Sequence, residues 1–157
     1  MNFIEWIEAS ALAEWVRISI SGYPAMITLH SVGLAVMVGL SLAVDMRLLG
    51  RFRSIPFSSL RTFFTVAWIG FLINFVSGAA LFSSQATLYV TNVPFLLKMA
   101  FVLAGAATVG YLQAAVARTG DSQGADSVAT GATRFVAILS IVVWLGATIT
   151  GRLIAYL

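Results

Sequence analysis

The chain contains no cysteine and a single histidine, His30. Without cysteine there is no disulfide, no thiolate metal site and no covalent attachment of a c-type haem. Charge is almost as scarce: Asp, Glu, Lys and Arg make up 10% of the 157 residues, against 60% hydrophobic ones. Soluble domains carry roughly 25% charged residues, so a soluble fold is excluded. Also missing are a glycine-rich phosphate loop leading into a helix, a Ser/His/Asp set, and a pair of carboxylates inside an apolar run. A hydrolase, an ATPase and a proton pump each lack their minimum parts, and no autonomous enzyme is expected. The first residues, Met1-Asn2-Phe3-Ile4-Glu5, have no basic n-region and no small-residue cleavage site, so they do not read as a removable signal peptide. The net charge of +3 does not point to nucleic acid, because the arginines cluster between two apolar runs, where they report topology.

What is present is four apolar runs, about Pro24–Val44, Thr62–Phe82, Phe95–Val116 and Phe135–Leu157. Each is near the length of about 20 residues that crosses a bilayer as a helix. They predict an all-α fold, one membrane domain over residues 1–157 with four transmembrane helices. Ahead of them, over residues 3–17, Ile4, Ile7, Leu12, Trp15 and Val16 fall close to helical spacing, with Glu5, Glu8 and Glu14 between. With Trp6 and Trp15 present, that stretch predicts an amphipathic helix lying in the headgroup layer. Ser21-Gly22-Tyr23-Pro24 then breaks the chain before the first span.

The first connection holds Asp45, Arg47, Arg51, Arg53 and Arg61; the second, around Ser83 to Pro94, holds no charge. Arginine marks the cytoplasmic side, so both termini and the second connection are expected to face out. Asp45 and Arg47 are expected to pair at the interface. The third connection, Arg118 to Arg134, is rich in Gly, Ser, Asp and Ala and reads as a flexible turn. Small residues recur as Ala35/Gly39/Ala43, Gly70/Asn74/Gly78 and Ala147/Gly151, with Gly105 and Gly110 more loosely spaced. Such stripes let helices approach closely in lipid, and packing within one bundle is their expected use. No repeat relates the two halves, which disfavours an inverted-repeat transporter.

Three basic side chains share one depth. At a rise of about 1.5 Å per residue, His30 lies roughly 9 Å inside its helix, Lys98 about 6 Å and Arg152 about 7 Å, all in the outer leaflet. No acidic residue lies at that level in any span. Lys98 and Arg152 can snorkel to the interface, and His30 can be satisfied by a carbonyl or hydroxyl of the bundle. Their shared depth also makes a pocket for an anionic or polar ligand: haem propionates, a quinone carbonyl or a lipid phosphate. Met26 and Met37 share a helix face with His30, and Met99 lies at comparable depth. Imidazole with thioethers suits Cu(I), and His with Met can hold haem iron, though methionine is also a common apolar filler. A bis-histidine haem needs a second copy of the chain. Asn74 is expected to donate to a neighbouring helix, and Trp68 and Trp144 to serve packing or, for Trp68, the aromatic belt.

Four segments resemble an uncharacterised family of short bacterial four-helix inner-membrane proteins, a domain of unknown function. They are Thr28-Leu29-His30-Ser31-Val32-Gly33-Leu34, Asp45-Met46-Arg47-Leu48-Leu49-Gly50, Asn92-Val93-Pro94-Phe95-Leu96-Leu97-Lys98 and Gly151-Arg152-Leu153-Ile154-Ala155-Tyr156. The resemblance implies a multi-pass protein of the bacterial inner membrane with both termini periplasmic, and it carries no activity. Its members often place a second histidine late in the third helix, where this chain reads Thr108-Val109-Gly110-Tyr111-Leu112-Gln113.

The expectation is a non-catalytic binding or accessory subunit, of an electron-transfer complex among other settings. Its outer-leaflet pocket of His30, Lys98, Arg152 and Tyr156 would take haem b, quinone or anionic lipid. Haem b ranks above copper, held by His30, Met26, Met37 and Met99, because two cations could pair with the propionates. The alternatives are a small metal or haem transport component and a purely structural subunit of a larger membrane assembly. The expected partners are the bilayer and either another membrane protein or a second copy of the chain.

Overall fold

Four helices of the computed structural model are long and apolar enough to cross a membrane. The structure describes residues 2–119, 130–154 and 156, and among them there is no strand. In chain order the helices are α1 Phe3–Glu8, α2 Ala11–Ile18, α3 Gly22–Leu48, α4 Ser59–Ser84, α5 Ala86–Tyr89, α6 Val93–Thr119 and α7 Gly131–Leu153. Even the shortest span, the 23-residue α7, rises about 35 Å, enough for about 30 Å of hydrocarbon. The protein is an all-α, multi-pass membrane bundle, with a lipid bilayer as its surroundings. Most of the turn expected between Arg118 and Arg134 lies outside the described residues.

The spans run antiparallel, so α3 and α6 begin at the end of the bundle where α4 and α7 finish; this is the termini end, opposite the arginine-loop end. The broadest seams join α3 to α4 and α6 to α7, α3 also packs on α7, and α4 touches α6 only lightly. Gly33 and Gly70 allow the α3–α4 approach. A Cβ on Gly33 would stand 2.6 Å from the Asn74 backbone nitrogen, and one on Gly70 would stand 2.9 Å from that of Met37. Backbones this close gain dispersion contact, which takes the place of a hydrophobic drive in lipid. Below this crossing, Met37, Val44 and Leu48 of α3 meet Leu60 and Phe64 of α4, Leu112 and Val116 of α6, and Trp144 of α7 in one buried cluster.

The stripe Ala35/Gly39/Ala43 does not make this seam. Ala35 and Gly39 are exposed, and a Cβ on Gly39 would meet nothing within 4 Å. The packing face of α3 runs instead through Gly33, Met37, Ser41 and Val44. On α4 the expected stripe does face inward, with Gly70 and Asn74 buried and Gly78 against the His30 ring.

Two helices stand where one was expected over residues 3–17. α1 ends at Glu8 with Ala9 as its C-cap, and Ser10, a strong N-cap residue, starts α2 by accepting from the Ala13 amide at 3.3 Å. α2 buries Ala13 and Val16, packs on α4, and sends Arg17 to the Ser84 carbonyl. Trp6, Leu12 and Trp15 remain exposed, an outward apolar face suited to a headgroup layer.

The expected Asp45–Arg47 pair is not formed. α3 continues to Leu48, which carries Asp45 into the bundle, where it is 1% exposed. Arg47 turns to the loop: its Nε donates to the Ile55 carbonyl at 2.7 Å, and its guanidinium carbon lies 5.6 Å from the centroid of the Phe57 ring. The loop can fold back because Gly50 adopts a φ of 82°, a conformation that glycine takes without strain.

Candidate functional site

His30 sits two turns into α3 at the termini end, and both of its ring nitrogens are engaged. Nδ1 lies 2.9 Å from the Asn74 carbonyl oxygen of α4 and Nε2 lies 3.0 Å from the Lys98 Nζ of α6. A carbonyl only accepts and an ammonium only donates, so Nδ1 carries the hydrogen and Nε2 is the acceptor. Asn74 returns the contact, its Nδ2 donating to the His30 carbonyl at 2.8 Å. The Ser77 hydroxyl, bonded to the Ile73 carbonyl at 2.6 Å, fills the remaining space at Nδ1 from 3.4 Å. The reciprocal His30–Asn74 exchange fixes the imidazole in one orientation.

Two glycines make room for this arrangement. A Cβ at Gly78 of α4 would stand 2.9 Å from His30 Cε1, inside the ring's contact surface. At Gly151 of α7 a Cβ would lie 3.5 Å from Lys98 Cδ and Cε, so the lysine stem passes over this turn. Lys98 therefore spans from α6 past α7 to α3. Its head turns to His30 within the bundle.

Among the described residues the ammonium has no carboxylate partner. One imidazole acceptor uses one of its three hydrogens, leaving two for a ligand. One turn back along α6 stands a cluster that the sequence pattern did not single out. Phe95, one turn before Lys98 on α6, lies 5.5 Å from Phe82 of α4 and 5.3 Å from Tyr89 of α5, ring centroid to centroid, all three stacked. Burial, with Tyr23 nearby, pushes the Tyr89 hydroxyl above its ordinary range, so it stays a neutral donor. The signal available in the sequence was Asn92-Val93-Pro94-Phe95: Asn92 Oδ1 accepts from the Phe95 amide at 2.9 Å and starts α6 at the depth that places Phe95 and Lys98 together.

Among the described residues no hydrogen bond joins the other expected site residues to His30 or Lys98. Arg152 is exposed in the last turn of α7, and Tyr156 is 81% exposed. Met26 and Met99 are half-buried, while Met37 is a core residue of the α3 packing face. Among the described residues no three His, Cys, Asp or Glu side chains converge. With Nε2 facing an ammonium and Nδ1 bonded to a carbonyl, His30 offers no lone pair to copper or to haem iron in this arrangement. Nearer the arginine-loop end, on the bundle's outer side, Trp68 Nε1 donates to Gln113 Oε1 at 2.8 Å, tying α4 to α6. No family model, no curated protein and no solved structure matches the chain.

Proposed function

We propose that the protein is a non-catalytic binding or accessory subunit of the bacterial inner membrane, with both termini periplasmic, and that its outer-leaflet site holds the acceptor oxygen of a lipid-soluble ligand. On the likeness of its four segments, the same proposal places it among the short four-helix inner-membrane proteins of unknown function. The observation that carries it is the Lys98 ammonium braced by His30 at 3.0 Å, at a depth where none of the four spans carries an acid among the described residues. A cation held in lipid without a counter-charge invites an anionic or strongly accepting group. A quinone is the first candidate, with its carbonyl on Lys98 and the stack of Phe95, Phe82 and Tyr89 one turn away along α6 as the aromatic surface for its ring. An anionic lipid headgroup fits the ammonium alone. Haem b does not fit the arrangement, because Lys98 occupies the imidazole position that an iron would take.

The test is purification in mild detergent, organic extraction and mass spectrometry of what remains bound. Wild type is expected to retain a quinone or an anionic lipid near one per chain, and Lys98→Met to lose it at least tenfold. Wild type retaining neither above bulk detergent-lipid levels would sink the reading. The oxidised and dithionite-reduced visible spectra of the same samples decide the haem alternative: a Soret band that is lost in His30→Ala would restore it.

A further inference from the structure

The carboxyl of Asp45 has no place in the site at the termini end. It lies at the other end of α3, 1% exposed, with both oxygens shielded from solvent and without a hydrogen-bond partner. Across the α3–α7 seam the hydroxyl of Ser140, wholly buried, faces the carboxyl without closing a hydrogen bond in the arrangement shown. One turn along α7 the buried Trp144 Nε1 is likewise without a partner. Three buried polar groups thus stand unsatisfied on adjoining turns of two packed helices, whereas the other buried hydroxyls among the described residues are bonded. Ser41 donates to the Met37 carbonyl at 2.8 Å, Thr108 to that of Gly105 at 2.7 Å and Thr150 to that of Gly146 at 2.8 Å.

Among the described residues no cation compensates the carboxyl. Arg47, the nearest in sequence, is committed to Ile55 and Phe57. Arg61 of α4, Arg118 of α6 and Arg134 of α7, the charged groups of the surrounding helices at this end, are all exposed, as are Arg51 and Arg53 of the loop. What α4 and α6 bury at this end is apolar: Leu60, Phe64, Leu112 and Val116. An ionised carboxylate so enclosed loses its hydration and receives nothing in return, whereas a neutral acid has one O–H to place and finds the Ser140 oxygen opposite.

We propose that Asp45 and Ser140 form a buried proton-binding site, in which the Asp45 carboxyl stands as the neutral acid and donates its O–H to the Ser140 hydroxyl. The ligand is a proton exchanged at the arginine-loop end, which on the proposed topology is the cytoplasmic side. Release of that proton leaves an unpaired anion in the α3–α7 seam and loosens it. The site is independent of the Lys98 site and stands or falls without it.

Infrared spectroscopy of the protein in lipid vesicles at neutral pH tests this. Wild type minus Asp45→Asn is expected to show one carboxylic-acid C=O band lost; loss of carboxylate bands in its place overturns the proposal. Carbon-13 aspartate in the unmodified chain decides the point even if the variant fails to fold. The chain has three aspartates, Asp45, Asp121 and Asp126. One isotope-shifted acid band is expected, still present in the Asp121→Asn/Asp126→Asn double variant and moved to higher frequency by Ser140→Ala. Absence of any aspartic-acid band at neutral pH refutes the site.

Discussion

The two ends of α3 treat their polar residues in opposite ways. At the termini end His30 is half-buried, and every hydrogen-bonding position on its ring is filled, by Asn74 on one side and Lys98 on the other. At the arginine-loop end Asp45 is almost wholly buried, and both of its oxygens are unpartnered. A saturated imidazole is a bracing group, and the free hydrogens it leaves belong to the lysine it holds. An unsaturated, enclosed carboxyl must change its own chemistry instead. Rarity in the sequence drew attention to the histidine; unmet bonding marks the aspartate.

The largest way to break the comparison is to break the seam that both ends share. Gly33→Val drives side-chain carbon into the backbones of Asn74 and Gly70 and is expected to destabilise the bundle by about 3 kcal/mol, read as the unfolding midpoint in SDS titration. Gly78→Ala acts at one end alone. Its methyl displaces the His30 ring, costing about 1–2 kcal/mol in the same titration, and ligand retention is expected to fall with it while the Asp45 infrared band stays. Asn74→Leu removes the return bond to the His30 carbonyl; intramembrane hydrogen bonds average about 0.6 kcal/mol, and a loss of that order is expected. Asp45→Asn keeps shape and neutrality and is expected to change the midpoint by less than about 0.5 kcal/mol, whereas a truly ionised and stabilised carboxylate would show a clear loss. Gly151→Ala, at ordinary contact distance from the lysine stem, is expected to stay within about 0.5 kcal/mol with ligand retention unchanged.

What could be read from the chain followed from length and depth. Four apolar runs specify four spans because hydrocarbon thickness and helical rise are fixed, and the same arithmetic put His30 and Lys98 at one level before any contact was known. Orientation about the helix axis was less legible. α3 is apolar all round, so no polar face says which side packs; the evenly spaced Ala35/Gly39/Ala43 stripe leaves Ala35 and Gly39 exposed, while Gly33, outside that stripe, makes the crossing. Depth alone could not separate Arg152 from Lys98 either, since what distinguishes them is a route across Gly151. Asp45 looks interfacial in the sequence because it lies one residue past an apolar run. α3 runs on to Leu48, and the partner of Arg47 is a carbonyl eight residues ahead, which no charge pattern announces.

The unequal seams carry an order of events. α3 with α4, and α6 with α7, are neighbours in sequence and share the broad contacts, so each can close as a hairpin soon after its second helix enters the bilayer. The contact between His30 and Lys98 joins one hairpin to the other across 68 residues of chain. It belongs to the last step of assembly, and it exists only once both halves have been made, inserted and docked. A nascent or half-assembled chain therefore lacks this contact, and a ligand at the proposed site would favour the completed bundle over its separated halves.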